Sequence, residues 1–294
     1  QALEKLQKLV VGKDAADWEQ LALELKKADP KNAAARCGIE MAVLDAYTKH
    51  LNQPLYQFFG GAGTTLFTDY TITAHDAVEK DAEAARLISS KGFKTIKIKT
   101  EGKNVLHDVE RVKQIQQAAP TCKLIVDGNC GYSLRSAMEF LEKLEIENIK
   151  LELFEQPLRR EDWHGQAELT RQSPVPICAD ETARSVEDVH RIMLMRLADV
   201  INIKIMKCGI SESLKMIALA KKGGVKLMIG GMVESILAMS FSTHLAAGIG
   251  GFSFVDLDTP LFIKSHPFTG GFVQEGPKLT LPENVPGHGV HLER

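Results

Sequence analysis

The sequence lacks a strong net charge, long apolar runs and a signal-like start, and each absence narrows the class of protein. Its 36 basic and 38 acidic residues give a net charge of -2 and are mixed along the chain, so we expect no nucleic-acid partner and no membrane partner. No apolar run approaches the roughly 18 residues that a membrane span needs. The opening QALEKLQKLVVGKD has no basic-then-apolar form, and we therefore expect a cytoplasmic protein.

The sequence has few cysteines, and their spacing indicates no pairing. The five are odd in number and contain no C-x-x-C spacing, which favours neither a zinc knuckle nor a disulfide framework. Cys130, Cys178 and Cys208 each fall near the end of a predicted strand, without a histidine at a recognisable spacing. We expect reduced thiols that act as small apolar side chains, with a nucleophilic role as the weaker alternative.

What the sequence does have is a regular alternation of short apolar or β-branched runs with segments of helical periodicity. Alternating strands and helices are typical of parallel βαβ units, and eight of them predict an α/β protein with a closed (β/α)8-type, modified TIM barrel. Before the helix in SVEDVHRIMLMRL, Ser185 is expected to cap and Asp188 to complete a capping box. The predicted strands are 68–75, 94–99, 123–129, 151–157, 176–181, 200–207, 226–231 and 252–258.

Both ends of the chain depart from this alternation. Residues 1–64 are helical in pattern, whereas residues 260–294 are rich in Gly and Pro and predict hairpins around FTGGFVQEGPKLTL. We expect the ends to meet as a small α+β capping domain, of which 1–64 is the remaining helical part of the N-terminal portion. Residues 65–259 are then the barrel, and 260–294 return to the capping domain.

Three carboxylates fall at the ends of three consecutive predicted strands: Asp127, Glu155 and Asp180. In such barrels the chemistry lies at the C-terminal ends of the strands, and three carboxylates converge there at low cost only when a cation neutralises them. A single Asp at a strand end is usually a cap or turn residue, but three in register favour a metal site. Oxygen ligands favour magnesium, calcium or manganese over zinc, and Glu181 and Asn129 are plausible supporting partners.

Lysines complete the pattern. In KTIKIKT, Lys97 and Lys99 point to the same side of their strand, and Lys204 lies near the end of the sixth strand. In an eight-strand circle the second and sixth strands are opposed, an arrangement suited to removing a proton from one face of a carbon and returning it to the other. A second ammonium at Lys97 would disfavour the charged form of Lys99 and make it a better base.

The motifs Lys-x-Lys, VDGN, EQP, ADE and NIK, in this order and at these strand ends, resemble those of the enolase superfamily and specifically its muconate-lactonising subgroup. The match covers nearly the whole chain, although members of the subgroup begin with a β-meander and this sequence opens in the helical part. Within the subgroup, DLD at Asp256 and Asp258 is similar to the Asp-x-Asp of dipeptide epimerases, where the two carboxylates receive the free amino group of the dipeptide.

The resemblance implies one Mg²⁺ per subunit and epimerisation of a dipeptide at the carbon next to its carboxylate, by two-base proton transfer through an enediolate. We also expect a homo-oligomer. The implied metal ligands are Asp127, Glu155 and Asp180, and the implied acid/base catalysts are Lys99 and Lys204, assisted by Lys97. The other implied contacts are Asp256, Asp258, Lys97, Met232 and Glu234 for substrate and Asn129, Glu181 and Asn202 for support.

Several alternatives stay open at this point. An N-acylamino acid racemase or o-succinylbenzoate synthase of the same subgroup would share the lysines and metal ligands without needing Asp-x-Asp. A Schiff-base aldolase also uses a lysine inside a barrel, but it leaves the carboxylates unexplained. A non-catalytic barrel would have no reason to keep buried lysines. Asp256 and Asp258 could also simply cap a turn into TPLF.

Overall fold

A computed structural model describes residues 1–74 and 77–293. Its main feature is an eight-stranded sheet in which the strand order follows the chain, as expected for parallel (β/α) units, so the predicted (β/α)8-type fold is confirmed. The first predicted run, 68–75, ends at His75, which lies outside the described residues. The strands are β2 (Tyr70–Ile72), β3 (Thr95–Lys99), β4 (Lys123–Asp127), β5 (Leu153–Glu155), β6 (Ile177–Ala179), β7 (Val200–Ile203), β8 (Lys226–Gly230) and β9 (Phe252–Asp256).

Helices follow these strands where the sequence has its 3.6-residue period. Ser185 caps its helix by accepting a hydrogen bond from the backbone N–H of Asp188, as predicted. The Asp188 carboxylate, however, accepts from the backbone N–H of Arg184 at 3.1 Å, one residue before the expected partner. The helices are α5 (Val78–Ser90), α6 (Val105–Ala118), α7 (Leu134–Ile146), α8 (Trp163–Gln172), α9 (Val186–Met195), α10 (Ile205–Cys208), α11 (Ile210–Lys222) and α12 (Ile236–Ile249).

Several strands are shorter than the apolar runs that predicted them. The sixth predicted strand, 200–207, ends at Ile203, and the short helix α10 follows it. Lys204 is the N-cap residue of that helix, and its own backbone is extended. Asp180 and Asp258 likewise lie just after β6 and β9 rather than within them.

The chain divides into two compact units. One comprises residues 1–67, 203–218 and 229–294, and within it β1 (Thr65–Phe67) pairs with β12 (Lys278–Thr280). The predicted hairpin is confirmed by the pairing of β11 (Val273–Glu275) with β12, and β10 (Phe268–Gly270) pairs with β13 (Val290–Leu292). The helices of the N-terminal part are α1 (Ala2–Gln7), α2 (Trp18–Ala28), α3 (Ala33–His50) and α4 (Leu55–Phe58).

The second unit comprises residues 68–202 and 219–228. Its apolar core includes the buried Ile96 and Ile98 of β3, together with Val126 of β4 and Phe154 of β5. Because side chains alternate along a strand, the polar residues between these apolar ones face the other side of the sheet. All five cysteines are free thiols, as predicted. Among the described residues, none of the helices combines the length and the apolar character that crossing a membrane requires.

Candidate active site

Lys97 and Lys99 of β3 share a face, and one carboxylate lies between their ammonium groups. The Oδ2 atom of Asp127 is 3.1 Å from Nζ of each lysine. Lys97 is buried and also lies 2.8 Å from Oε2 of Glu155, whereas Lys99 is about a third exposed, with 35% of its side chain accessible. The Asp127 carboxylate between the two ammonium groups offsets the repulsion by which Lys97 was expected to make Lys99 a better base.

The register of the parallel strands explains why these groups meet. Lys99 is paired with Asp127, and Asp127 with Glu155, so the last residues of β3, β4 and β5 lie side by side. Both carboxylates are fully buried. Asn202, on β7 of the same unit, donates from Nδ2 to Oε1 of Glu155 at 2.7 Å. The acceptor atoms of Glu155 are thereby held by Asn202 on one side and Lys97 on the other.

The loop after β4 brings two more of the predicted residues to the cluster. Asn129, in the left-handed region with φ 39°, accepts from Lys99 at 2.9 Å through Oδ1 and donates to Oε1 of Glu181 at 3.4 Å. Its backbone N–H donates to Oδ1 of Asp127 at 3.0 Å. Burial, followed by the negative charges of Glu181, Asp180 and Asp127, raises the pKa of the Cys130 thiol to about 12.

Asp180 is placed by a residue that the sequence analysis did not select. Gln156 is buried, has a left-handed backbone with φ 33°, and accepts from the backbone N–H groups of Asp180 at 2.9 Å and Thr182 at 3.0 Å through Oε1. Its amide nitrogen donates to the carbonyl of Leu158 at 2.9 Å and to the Thr182 hydroxyl at 3.0 Å. The EQP motif contained this residue, but a buried glutamine carries no charge signal that would have singled it out.

The donor set of this cluster fits a divalent metal. Its carboxylates are Asp127, Glu155, Asp180 and Glu181, and its ammonium groups are Lys97 and Lys99, so it carries an excess of two negative charges that one divalent cation would neutralise. The carboxyl groups of Asp127, Glu155 and Asp180 are almost fully buried, where uncompensated charge is expensive. Hard oxygen donors of this kind favour magnesium over zinc.

The other unit holds the remaining predicted residues. Lys204 is buried, and its positive charge acts on the buried carboxyl of Glu234. Burial raises the pKa of Glu234, whereas a hydrogen bond from the backbone N–H of Met232 and the Lys204 charge lower it. Glu234 Oε1 accepts that hydrogen bond at 2.8 Å, and its Oε2 has no hydrogen-bond partner among the described residues. The Met232 side chain itself is exposed.

Asp256 and Asp258 follow one another around the end of β9. Both are buried, and Leu257 between them is fully buried. Asp258 is the N-cap residue of a 3₁₀ helix over Thr259–Phe262, yet its side chain makes no capping hydrogen bond to that helix. The alternative that Asp258 is present to cap the turn into TPLF is therefore not supported by its hydrogen bonding.

Lysines and carboxylates lie at the carboxyl ends of consecutive strands in a (β/α)8-type sheet, as the resemblance to enolase-type barrel proteins implies. Family models agree with this assignment along most of the chain. Residues 79–294 match the model described as enolase C-terminal domain-like, and residues 1–60 match the N-terminal domain of mandelate racemase/muconate lactonizing enzyme. The chain belongs to this mandelate racemase/muconate lactonizing enzyme family of the enolase superfamily.

Several proteins named as dipeptide epimerases are similar to this chain. It is 56% identical over 291 residues to an aromatic dipeptide epimerase of Herpetosiphon aurantiacus, covering 99% of this chain and 81% of that relative. It is 33% identical over 287 residues to the L-Ala-D/L-Glu epimerase of Bacillus subtilis, covering 97% of this chain and 78% of the other. The solved dipeptide epimerase of Enterococcus faecalis, complexed with Mg and L-Leu-L-Tyr, superposes with a TM-score of 0.93 at 32% identity, over 98% of this chain and 81% of that one.

Proposed function

We propose that this protein is an isomerase, a magnesium-dependent dipeptide epimerase that inverts the carbon next to the dipeptide carboxylate. The observation that carries the proposal is the cluster in which Asp127 separates Lys97 from Lys99 beside Glu155. It places an amine, which can transfer a proton, next to oxygen donors that can hold a divalent ion, and metal-assisted epimerisation uses both. The names of the relatives described above support the same reaction on dipeptides.

Asp127, Glu155 and Asp180 would hold one Mg²⁺ per subunit. Such an ion, when bound, supplies Lewis-acid stabilisation for negative charge on the substrate carboxylate. Around these ligands, Asn202 orients Glu155, and the Gln156 amide orients the backbone of Asp180. Ligands held in this way keep their geometry without reorganising at each turnover, which is the usual function of the partners that surround metal ligands.

The two proton-transfer groups in this proposal are Lys99 and Lys204. In the sheet order, β7 lies four strands after β3, and Lys204 is the residue after the last residue of β7. Lys99 would remove the proton from one face of the α-carbon to give the enediolate, and Lys204 would deliver a proton to the opposite face; in the reverse direction the two exchange roles. Hydrogen bonds to Asp127 and Asn129 hold the Nζ atom of Lys99 in place.

Asp256 and Asp258 would bind the free ammonium of the dipeptide. Their Asp-x-Asp pattern is similar to that of dipeptide epimerases, and in the working complex a substrate cation would add positive charge beside these two nearly inaccessible carboxylates. An N-acylated amino acid offers no cation. This difference separates a dipeptide epimerase from an N-acylamino acid racemase of the same subgroup.

The experiment that tests the function is incubation of a dipeptide library in D₂O with Mg²⁺, read by mass spectrometry for deuterium at the α-carbon. Free dipeptides should gain deuterium and epimerise, and excess chelator should stop both. N-acetylated forms of the same dipeptides, and N-succinylamino acids, should react much more slowly. If N-acylated amino acids react faster than every free dipeptide, the dipeptide proposal is wrong and a racemase takes its place.

A further inference from the structure

A buried arginine contacts the strand end that carries Lys99. Arg111 of α6 has 1% of its surface exposed, and its guanidinium donates from Nη1 to the backbone carbonyl of Lys99 at 2.6 Å. From Nη2 it also donates to the carbonyl of Thr73, just after β2, at 2.9 Å. One planar group therefore joins the carboxyl ends of two neighbouring strands, which pair with each other through the preceding residues.

The guanidinium is itself held in place. Asp81, a fully buried residue of α5, accepts from Nε of Arg111 at 2.7 Å and from Nη2 at 3.4 Å. The fork geometry of arginine allows one carboxylate to be bound on one edge while two carbonyls are bound on the others. A lysine at this position could offer its ammonium to Asp81 but could not serve both carbonyls in a fixed plane.

One helical turn before Arg111, another buried residue of α6 fixes the backbone just beyond Lys99. The carboxylate of Asp108 accepts from the backbone N–H of Gly102 at 3.0 Å and from the Tyr132 hydroxyl at 2.8 Å. The segment from Lys99 to Gly102 is thus held by two hydrogen bonds, one from Arg111 to the Lys99 carbonyl and one from the Gly102 N–H to Asp108. Because the Lys99 side chain extends from this backbone, the two hydrogen bonds also fix the position from which the Lys99 amine reaches into the site.

We propose that Arg111 is a positioning residue for Lys99, acting through the Lys99 carbonyl and the ion pair with Asp81. This inference rests on the proposed two-base epimerisation. Its consequence is asymmetric, because Arg111 contacts the strand of one proton-transfer lysine, whereas Lys204 lies after a different strand, four positions along the sheet. Loss of this contact should therefore impair proton exchange with one substrate epimer more than with the other.

The test compares the rate of α-proton exchange in D₂O for the two purified epimers of one dipeptide, with saturating Mg²⁺. Lys99→Ala first identifies which epimer depends on Lys99. Arg111→Lys should then lower the exchange rate of that same epimer on the order of 10–100-fold, as expected when a reacting group is displaced by a fraction of an ångström to an ångström. The rate for the other epimer should stay near the wild-type value, and the KM for both epimers should change little.

A matched structural control lies next to Arg111 in the sequence. Val112→Ala truncates a fully buried side chain of the same helix that belongs to the apolar core, so it loosens α6 without removing the contact to Lys99. If Val112→Ala lowers the exchange rate at all, it should lower the rate of both epimers by the same factor. Should Arg111→Lys fail to fold, Asp81→Asn keeps the guanidinium and removes the charge that orients it, and the same selective loss is expected.

Equal losses for both epimers in Arg111→Lys, or in Asp81→Asn where it is used, would overturn the positioning inference while leaving epimerisation intact. If Lys99→Ala itself removes exchange from both epimers equally, the two-base function fails, and the inference built on it fails as well. The two failures are therefore distinguished by the Lys99→Ala measurement alone.

Discussion

Replacing Lys97 by methionine should make the stability of the protein strongly dependent on a divalent metal. The change removes an ammonium that lies 3.1 Å from Oδ2 of Asp127 and 2.8 Å from Oε2 of Glu155, in a position where all three side chains are almost fully buried. Methionine has nearly the same length and shape, so packing is retained. What is lost is the positive charge between two buried carboxylates.

The size of the effect follows from the burial. Removing one partner of a buried ion pair costs about 3–5 kcal/mol, because the remaining charge is left in a poorly solvated site. For a chain of this length such a loss lowers the unfolding midpoint by on the order of 10 °C. In Lys97→Met a bound divalent cation would replace the missing charge, so the metal should recover much of the loss and should bind more tightly than in the wild type.

Thermal unfolding of both proteins, in chelator and in excess Mg²⁺, measures this directly. The shift produced by Mg²⁺ should be several degrees larger in Lys97→Met than in the wild type. Lys103→Met is the matched control, since Lys103 pairs with Glu101 at an exposed site and its removal should change stability by no more than about 1 kcal/mol. If Lys97→Met melts like the wild type in chelator, or gains no more from Mg²⁺, the cluster is not the metal site.

Further predictions concern the substrate, the metal ligands and the fold. Asp258→Ala should cost about 2–5 kcal/mol in kcat/KM for free dipeptides, as for one partner of a buried charge pair, and an unchanged value would exclude the ammonium site. Gln156→Met should weaken Mg²⁺ binding by about 10–100-fold in calorimetric titration, because the backbone of Asp180 loses its acceptor; undiminished affinity would contradict that role. Burial lowers the pKa of His244 to about 4, while its Nδ1 accepts from the backbone N–H of Tyr56. In the unfolded chain the histidine binds its proton near pH 6.5. The contribution of His244 to the free energy of unfolding is therefore fully present above that pH and should fall by about 3 kcal/mol as the pH drops to 4. His244→Gln should show a smaller fall in chemical denaturation, and an identical pH dependence would contradict this.

Much of the fold could be predicted because its strands are short and buried on both faces. Runs such as KTIKIK, with Ile96 and Ile98 in the core, carry a signal within a few residues, and helices supply theirs through the period of their apolar side chains. Strand ends were predicted less well. The run at 200–207 contains enough apolar residues for a longer strand, but Lys204 begins a short helix instead, because the ends of strands depend on contacts distant in sequence.

The charged residues of the candidate site were also visible in the sequence, since parallel strands in register bring their last residues together. Lys99, Asp127 and Glu155 are paired in this way. The residues that hold them were not visible. Gln156 and Arg111 form hydrogen bonds with backbone amide and carbonyl groups of residues distant in sequence. Only folding brings these groups together, so no periodic pattern in the sequence indicates the contacts. A buried arginine inside an amphipathic helix looks, in sequence, like an ordinary surface residue.

The measurement that tests the central claim most directly is α-proton exchange by the two single-lysine variants, followed separately for each epimer of one dipeptide in D₂O. The two-base account predicts that neither variant epimerises. Lys204→Ala should still exchange the proton of one epimer, which by family resemblance is the L-form, and Lys99→Ala should exchange that of the other. Full epimerisation by either variant, or exchange of the same epimer by both, would contradict the account.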